Sequence, residues 1–133
     1  MPSETHVAIA HEADIVLARQ KGRELATQAG FASGDATLVA TAISEVARNI
    51  VAYAERGEIV LDLVHERGRR GILIVARDEG PGIPDVELAM TDGYSTGRSL
   101  GLGLPGARRL VDDFEISSVV GRGTTVTMRK WVA

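Results

Sequence analysis

The chain has 133 residues, 44% of them hydrophobic, a size and apolar content that suit a single domain over residues 1–133 with one core. It contains no cysteine, which excludes a disulfide framework, a thiolate zinc site and a cysteine nucleophile. A formal charge of −3 gives no broad basic field for a phosphate backbone, and neither a leader-like N-terminus nor an apolar run of spanning length is present, so the expectation is a cytoplasmic protein with no nucleic-acid or membrane partner.

Taken in chain order, His6 to Ala10 alternates weakly and predicts a first strand. Asp14 to Ala29 carries helical spacing at Ile15, Ala18, Gly22, Leu25 and Ala29, with Gly30 closing the helix. Ser33 is placed to cap a second helix over Asp35 to Ala54, whose apolar stripe is Val39, Ile43, Val46, Ile50 and Tyr53. Glu58 to His65 and Gly71 to Arg77 predict a hairpin around a basic, glycine-containing turn. The run from Asp78 to Pro84 is a loop, and Pro84 introduces a short helix from Asp85 to Thr91. Asp92 to Leu100 is polar and glycine-bounded, and is expected to be mobile. Gly103 to Asp113 predicts a third substantial helix, followed by strands at Phe114 to Val120 and Thr124 to Val132. The order β-α-α-β-β-loop-α-β-β implies an α+β fold, a two-layer sandwich with a mixed, mostly antiparallel sheet. With aromatics at only 4%, its core must be built from Val, Ile, Leu and Ala.

Four places carry chemistry. Glu45 and Asn49 are four apart and share one helix flank beside the apolar stripe. A carboxylate and an amide on one edge can orient a nucleophile and complete a hard-cation shell; they are equally at home as two solvated helix residues. Asp78 ends an apolar strand directly before Gly80, Pro81, Gly82, Ile83 and Pro84, where it can accept a bond from a purine amino group while Gly80 and Gly82 let backbone approach a flat base. An Asx-type turn accounts for the same pattern.

Gly101-Leu102-Gly103-Leu104-Pro105-Gly106 matches G-x-G-x-x-G, yet no strand precedes it and no acidic residue closes a following strand at the expected distance, which excludes a dinucleotide fold. The glycines do face a helix N-terminus, whose free N–H groups form a phosphate cradle, fed by the polar segment that includes Gly97. A structural helix-entry turn is the alternative. Thr124, after the Gly121-Arg122-Gly123 turn, can present its hydroxyl to a buried water or base, and is also an ordinary strand residue. His6, His11 and His65 lack metal-ligand spacing. Neither a P-loop nor the signature of ordinary protein kinases is present.

The order of these motifs, Glu45 and Asn49, then Asp78, Gly80 and Gly82, then Gly101 and Gly103, then Gly123 and Thr124, resembles the GHKL ATPase superfamily of gyrase, MutL and histidine kinases. Within it the stretches Thr41 to Asn49, Glu79 to Asp85 and Gly101 to Gly106 are similar to the RsbT-type switch kinases and their anti-sigma-factor relatives, and the resemblance spans nearly the whole chain. It implies a Bergerat-type fold with helices on one face of the sheet, and ATP and Mg²⁺ as cofactors. Glu45 would be the catalytic base, Asn49 the Mg²⁺ ligand and Asp78 the reader of the adenine amino group. Gly80, Gly82 and Ile83 would lie at the base, Thr124 would support it through water, and Gly97, Gly101, Leu102 and Gly103 would belong to the lid over the triphosphate. No phosphoacceptor helix precedes the ATPase pattern, so transfer is expected to a protein in trans. The implied partners are a STAS-domain protein of a stressosome, as substrate and scaffold, and a PP2C-type phosphatase that the released kinase activates. An anti-sigma factor of the same fold is the alternative, and a nucleotide-dependent docking module with degraded catalysis a more distant one.

Overall fold

The structure, a computed structural model, describes residues 4–90 and 103–133. The elements run β1 (Thr5–Ile9), α1 (Glu12–Ala29), α2 (Ser33–Tyr53), β2 (Gly57–Glu66), β3 (Arg69–Asp78), α3 (Val86–Ala89), α4 (Gly103–Leu110), β4 (Asp113–Val119) and β5 (Gly123–Trp131). The five strands form one sheet in the order β1-β2-β3-β5-β4. Each pairing is antiparallel, so the sheet is not mixed. Hairpin connections account for the β2-β3 and β4-β5 pairs, whereas β1 meets β2 across α1 and α2, and β3 meets β5 across α3, α4 and β4.

Alternation puts Val7, Ile9, Ile59, Leu61, Ile72, Ile74, Ala76, Val126 and Met128 on one face, all buried. Ile15, Ala18, Gly22 and Ala26 of α1 and Val39, Ile43, Val46 and Ile50 of α2 close over that face, and Leu104 and Ala107 bring α4 against α2. A fully buried Ile or Leu here contributes about 1.5–3 kcal/mol, so this layer holds the fold. Gly22 exists because α1 crosses α2 there: a Cβ would run into the Ile43 side chain. Among the described residues the other sheet face carries no helix, and it holds His6, Glu58, Arg77 and Thr125.

Three boundaries differ from expectation. Helix α1 begins at Glu12 because Asp14 acts from inside its first turn, where Oδ2 accepts the N–H groups of Ala10 (2.8 Å) and His11 (2.9 Å). Ser33 does not cap α2: it is the first helical residue, the cap position is Ala32, and the Ser33 hydroxyl faces Arg23 instead. Helix α4 stops at Leu110 because Asp112 is already bound to β5, its N–H donating to Arg129 O (2.9 Å) and its carboxylate accepting Trp131 N–H (2.7 Å). The expected basic turn tightens to Arg67 and Gly68, both at positive φ, the geometry of a two-residue hairpin. No helix among the described residues is long and apolar enough to cross a membrane.

Candidate nucleotide site

At one end of the sheet the helix-facing row reads Ile9, Gly57, Asp78, Thr124 and Ser118, one position per strand across all five strands. The next helix-facing row inward holds Val7, Ile59, Ala76, Val126 and Ile116. The apolar layer therefore gives way to polar groups at this margin, and those groups bind one another. Asp78 Oδ1 accepts the N–H of Gly80 (2.9 Å) and the N–H of Thr124 (3.3 Å). Thr124, only 6% exposed, pairs its hydroxyl with that of Ser118 at 2.8 Å. Ser118 Oγ in turn accepts the N–H of Ile83 (2.7 Å), and Pro81 O accepts the N–H of Gly121 (2.8 Å). The loop after β3 is thus clipped at both ends to the β4-β5 turn.

Two glycines make that clip possible. Gly82 has φ +79°, and a Cβ there would meet the Val119 carbonyl; Gly123 has φ +130°, and a Cβ would strike Asp78 O. Gly80 is similarly pressed against Ala54 at the end of α2. Gly82 and Gly123 let protein backbone approach protein backbone, a reason for glycine that stands beside the approach to a base expected of Gly82 from sequence. The Asx-type bond from Gly80 to Asp78 is present as well, yet it uses Oδ1. Among the described residues the bonds to Asp78 all fall on that oxygen, which leaves Oδ2 as an acceptor.

Glu45 lies on α2 where that helix meets the start of α4. It is 7% exposed, and both oxygens are engaged: Oε1 accepts Arg48 Nη1–H at 2.7 Å and Oε2 accepts the N–H of Gly103, the first residue of α4, at 2.8 Å. A carboxylate at a helix N-terminus answers an otherwise unpaired donor and the positive end of the helix dipole. Asn49 is half-buried one turn further along α2, on the same flank. The helix then runs on to Ala54, which abuts Gly80; at 1.5 Å rise per residue, Ala54 stands about 13 Å along the axis from Glu45. The second half of helix α2 therefore runs between two polar centres, Glu45 with Gly103 and, beyond Ala54, Asp78 with Thr124, and Asn49 lies between them along the helix.

Gly97, Gly101 and Leu102 lie outside the described residues, as does the whole polar segment from Asp92 to Leu100. Among the described residues no group of three or more His, Cys, Asp or Glu side chains is placed to hold a metal ion. A cleft of about 720 Å³ opens beside Asp78, but Glu58, Arg77 and Thr125 of the helix-free face line it and Glu45, Asn49 and Gly82 do not. Ser118 and Arg48 were not singled out from sequence. For Ser118 a signal existed: it continues the inward phase of Phe114 and Ile116 as a polar residue.

Comparison with known proteins gives the family and the fold. The family model described as the histidine kinase-like ATPase domain matches residues 9–130. Over 132 residues the chain is 48% identical to the serine/threonine-protein kinase RsbT of Bacillus subtilis (strain 168), covering 99% of each protein. It is 31% identical over 99 residues to the anti-sigma F factor of Clostridium novyi (strain NT), covering 71% of this chain and 69% of that one. Among solved structures, the RsbU and RsbW domains of a Mycobacterium tuberculosis protein match with TM-score 0.65 and 21% identity over 96% of this chain, which spans 32% of that longer protein. The nucleotide-free catalytic domain of the histidine kinase ThkA matches with TM-score 0.54 and 14% identity over 95% of each chain. At those identities the two structures speak for the fold alone, and they place it in the Bergerat class.

Proposed function

The chain belongs to the histidine kinase-like ATPase family and, within it, to the RsbT-type serine/threonine protein kinases, and from that premise we propose that it phosphorylates serine or threonine on a STAS-domain protein. In this reading the STAS protein is both scaffold and substrate in a cytoplasmic, stressosome-based stress response, and the released kinase activates a PP2C-type phosphatase. The observation that carries the proposal is the near full-length identity to a kinase, joined to the line of Glu45, Asn49 and Asp78 along one helix and the strand end it abuts.

The residues suit ATP and Mg²⁺ at the level of donor chemistry. Asp78 Oδ2 is an acceptor for the adenine amino group, held in place by the two N–H groups on Oδ1. Thr124 and Ser118 fix the loop carrying Gly80, Gly82 and Ile83, so the base would meet a preset surface. Without a carboxylate cage among the described residues, a Mg²⁺ would be held by Asn49 together with phosphate oxygens and waters, the usual arrangement for that ion beside a nucleotide. When bound, Mg-ATP supplies the transferable phosphoryl group and the cation that offsets its charge. Glu45 would orient the incoming hydroxyl and accept its proton. The Gly103 N–H, with donors from Gly97, Gly101 and Leu102, would face the phosphate chain.

The direct test incubates the protein with Mg-ATP and a candidate STAS partner and looks for phosphoserine or phosphothreonine by mass spectrometry. Stoichiometric labelling that disappears in Glu45→Ala is expected; an unlabelled partner would contradict the reading. Likeness to the anti-sigma F factors motivates a second reading, in which the main output is binding to a sigma factor. Pull-down of a sigma factor without labelling of any STAS protein would favour it.

A further inference from the structure

Glu45 is a buried carboxylate whose two oxygens are both committed, one to a side chain and one to backbone. A general base needs an oxygen to give to its substrate. The two bonds are unlike in what they restrict. Arg48 is on the same helix, three residues on, so the ion pair moves with Glu45 as one unit. Gly103 is on α4, and its N–H is one of the donors that a phosphate oxygen would compete for at that helix start. Exchange at Gly103 frees Oε2 and leaves Oε1 where it is.

We propose that Arg48 is the positioning residue of the transfer reaction: it anchors the Glu45 carboxylate through Oε1, so that Oε2 alone alternates between the Gly103 amide and the incoming hydroxyl. This rests on the kinase reading. Arg48 suits the task because its guanidinium is a fixed planar donor with permanent charge, and its side chain is 38% exposed. Reaching out from solvent, it meets the nearly buried carboxylate without a second buried charge having to be accommodated. Without it, Glu45 would hold a single hydrogen bond to Gly103 and would leave its rotamer whenever that bond opened. Charge-assisted bonds of this kind are strong enough to define a carboxylate's orientation.

Arg48→Ala and Arg48→Lys, compared with wild type in three measurements, test the proposal. Losing one charge-assisted bond from the anchor is expected to lower kcat for partner phosphorylation about tenfold or more, with ADP affinity in the presence of Mg²⁺ changed by less than about twofold. The Gly103 amide, followed by NMR hydrogen exchange on the protein without nucleotide, is expected to exchange several-fold faster in Arg48→Ala. Arg48→Lys should recover part of both kcat and protection. Unchanged kcat in Arg48→Ala, or unchanged protection of Gly103, overturns the proposal; so does a loss of ADP affinity as large as the loss of kcat, because that makes Arg48 a nucleotide contact. If wild type labels no partner, the kinase reading fails on its own account. The Gly103 exchange data still decide then: faster exchange in Arg48→Ala upholds the anchor, and equal exchange removes it.

Discussion

Two rows of the same sheet face, a short distance apart along the strands, are built on opposite principles. The inner row is apolar on the three central strands, where Leu61, Ile74 and Met128 are fully buried beneath α1 and α2. The end row of Gly57, Asp78, Thr124 and Ser118 is polar or lacks a side chain, and Asp78 Oδ1 and the Thr124 and Ser118 hydroxyls all have named partners. The first row supplies stability through area removed from water. The second supplies direction, since hydrogen bonds fix where the Asp78 carboxylate and the Ile83 amide point. A binding site placed at the margin of a rigid core inherits that rigidity without disturbing it.

The sharpest way to separate the two rows is to damage the inner one. Ile74→Ala removes a fully buried side chain from the centre of the sheet and is expected to cost about 2–5 kcal/mol of stability. Denaturant unfolding should show this as a lower midpoint, while nucleotide affinity well below the transition stays within about twofold of wild type. A large loss of affinity in the folded variant would mean that the two rows are not independent.

A smaller effect belongs to the helix-free face, where His6 Nδ1 lies 2.8 Å from Glu58 Oε2 and Arg77 donates to Glu58 Oε1 at 2.7 Å. Hydrogen bonding to Glu58, then to Glu4, raises the His6 pKa above its ordinary 6.5. Hydrogen bonds from His6, then from Arg77, lower that of Glu58 below 4.5. A raised histidine contributes stability that is fully present below its unfolded pKa and is lost as pH rises through the folded value. A lowered glutamate contributes stability that is present above its unfolded pKa and is lost as pH falls through the folded value. Both contributions overlap between 4.5 and 6.5. These groups are exposed and screened by solvent, so the effect is slight. His6→Gln should flatten the alkaline decline of stability across that pair and leave nucleotide binding unaltered; a decline of equal size in the variant would assign it to another group.

The inner row was easily read from sequence. Strand alternation and the helical stripe of Val39, Ile43, Val46 and Ile50 determine the layers almost unaided, because apolar burial is additive and periodic, whereas Tyr53, expected to end that stripe, is exposed. The end row was only half legible. Asp78 stood out as a carboxylate closing an apolar strand, and Thr124 as the residue after a glycine turn. Ser118 showed only as a polar residue in the inward phase of β4, and its partner Thr124 emerges when β4 is laid beside β5, a contact set by tertiary pairing. The same holds for Arg48, which in sequence is one more charged helix residue, and for Gly82, whose need for glycine comes from the Val119 carbonyl. Ser33 misled for a related reason: a cap depends on how the chain enters the helix, and the extended backbone at Ala32 makes that residue the cap position.

The central claim is that the end row forms a nucleotide site read by Asp78. Asp78→Asn tests it with little disturbance, because the amide oxygen can keep the bonds from Gly80 and Thr124 while the NH₂ group, replacing Oδ2, can no longer accept from an amino donor. Calorimetric titration with Mg-ATP should show saturable binding to wild type and affinity weaker by about tenfold or more in Asp78→Asn, at an unchanged melting temperature. Equal affinity in the two proteins, or no binding to wild type, would contradict the account.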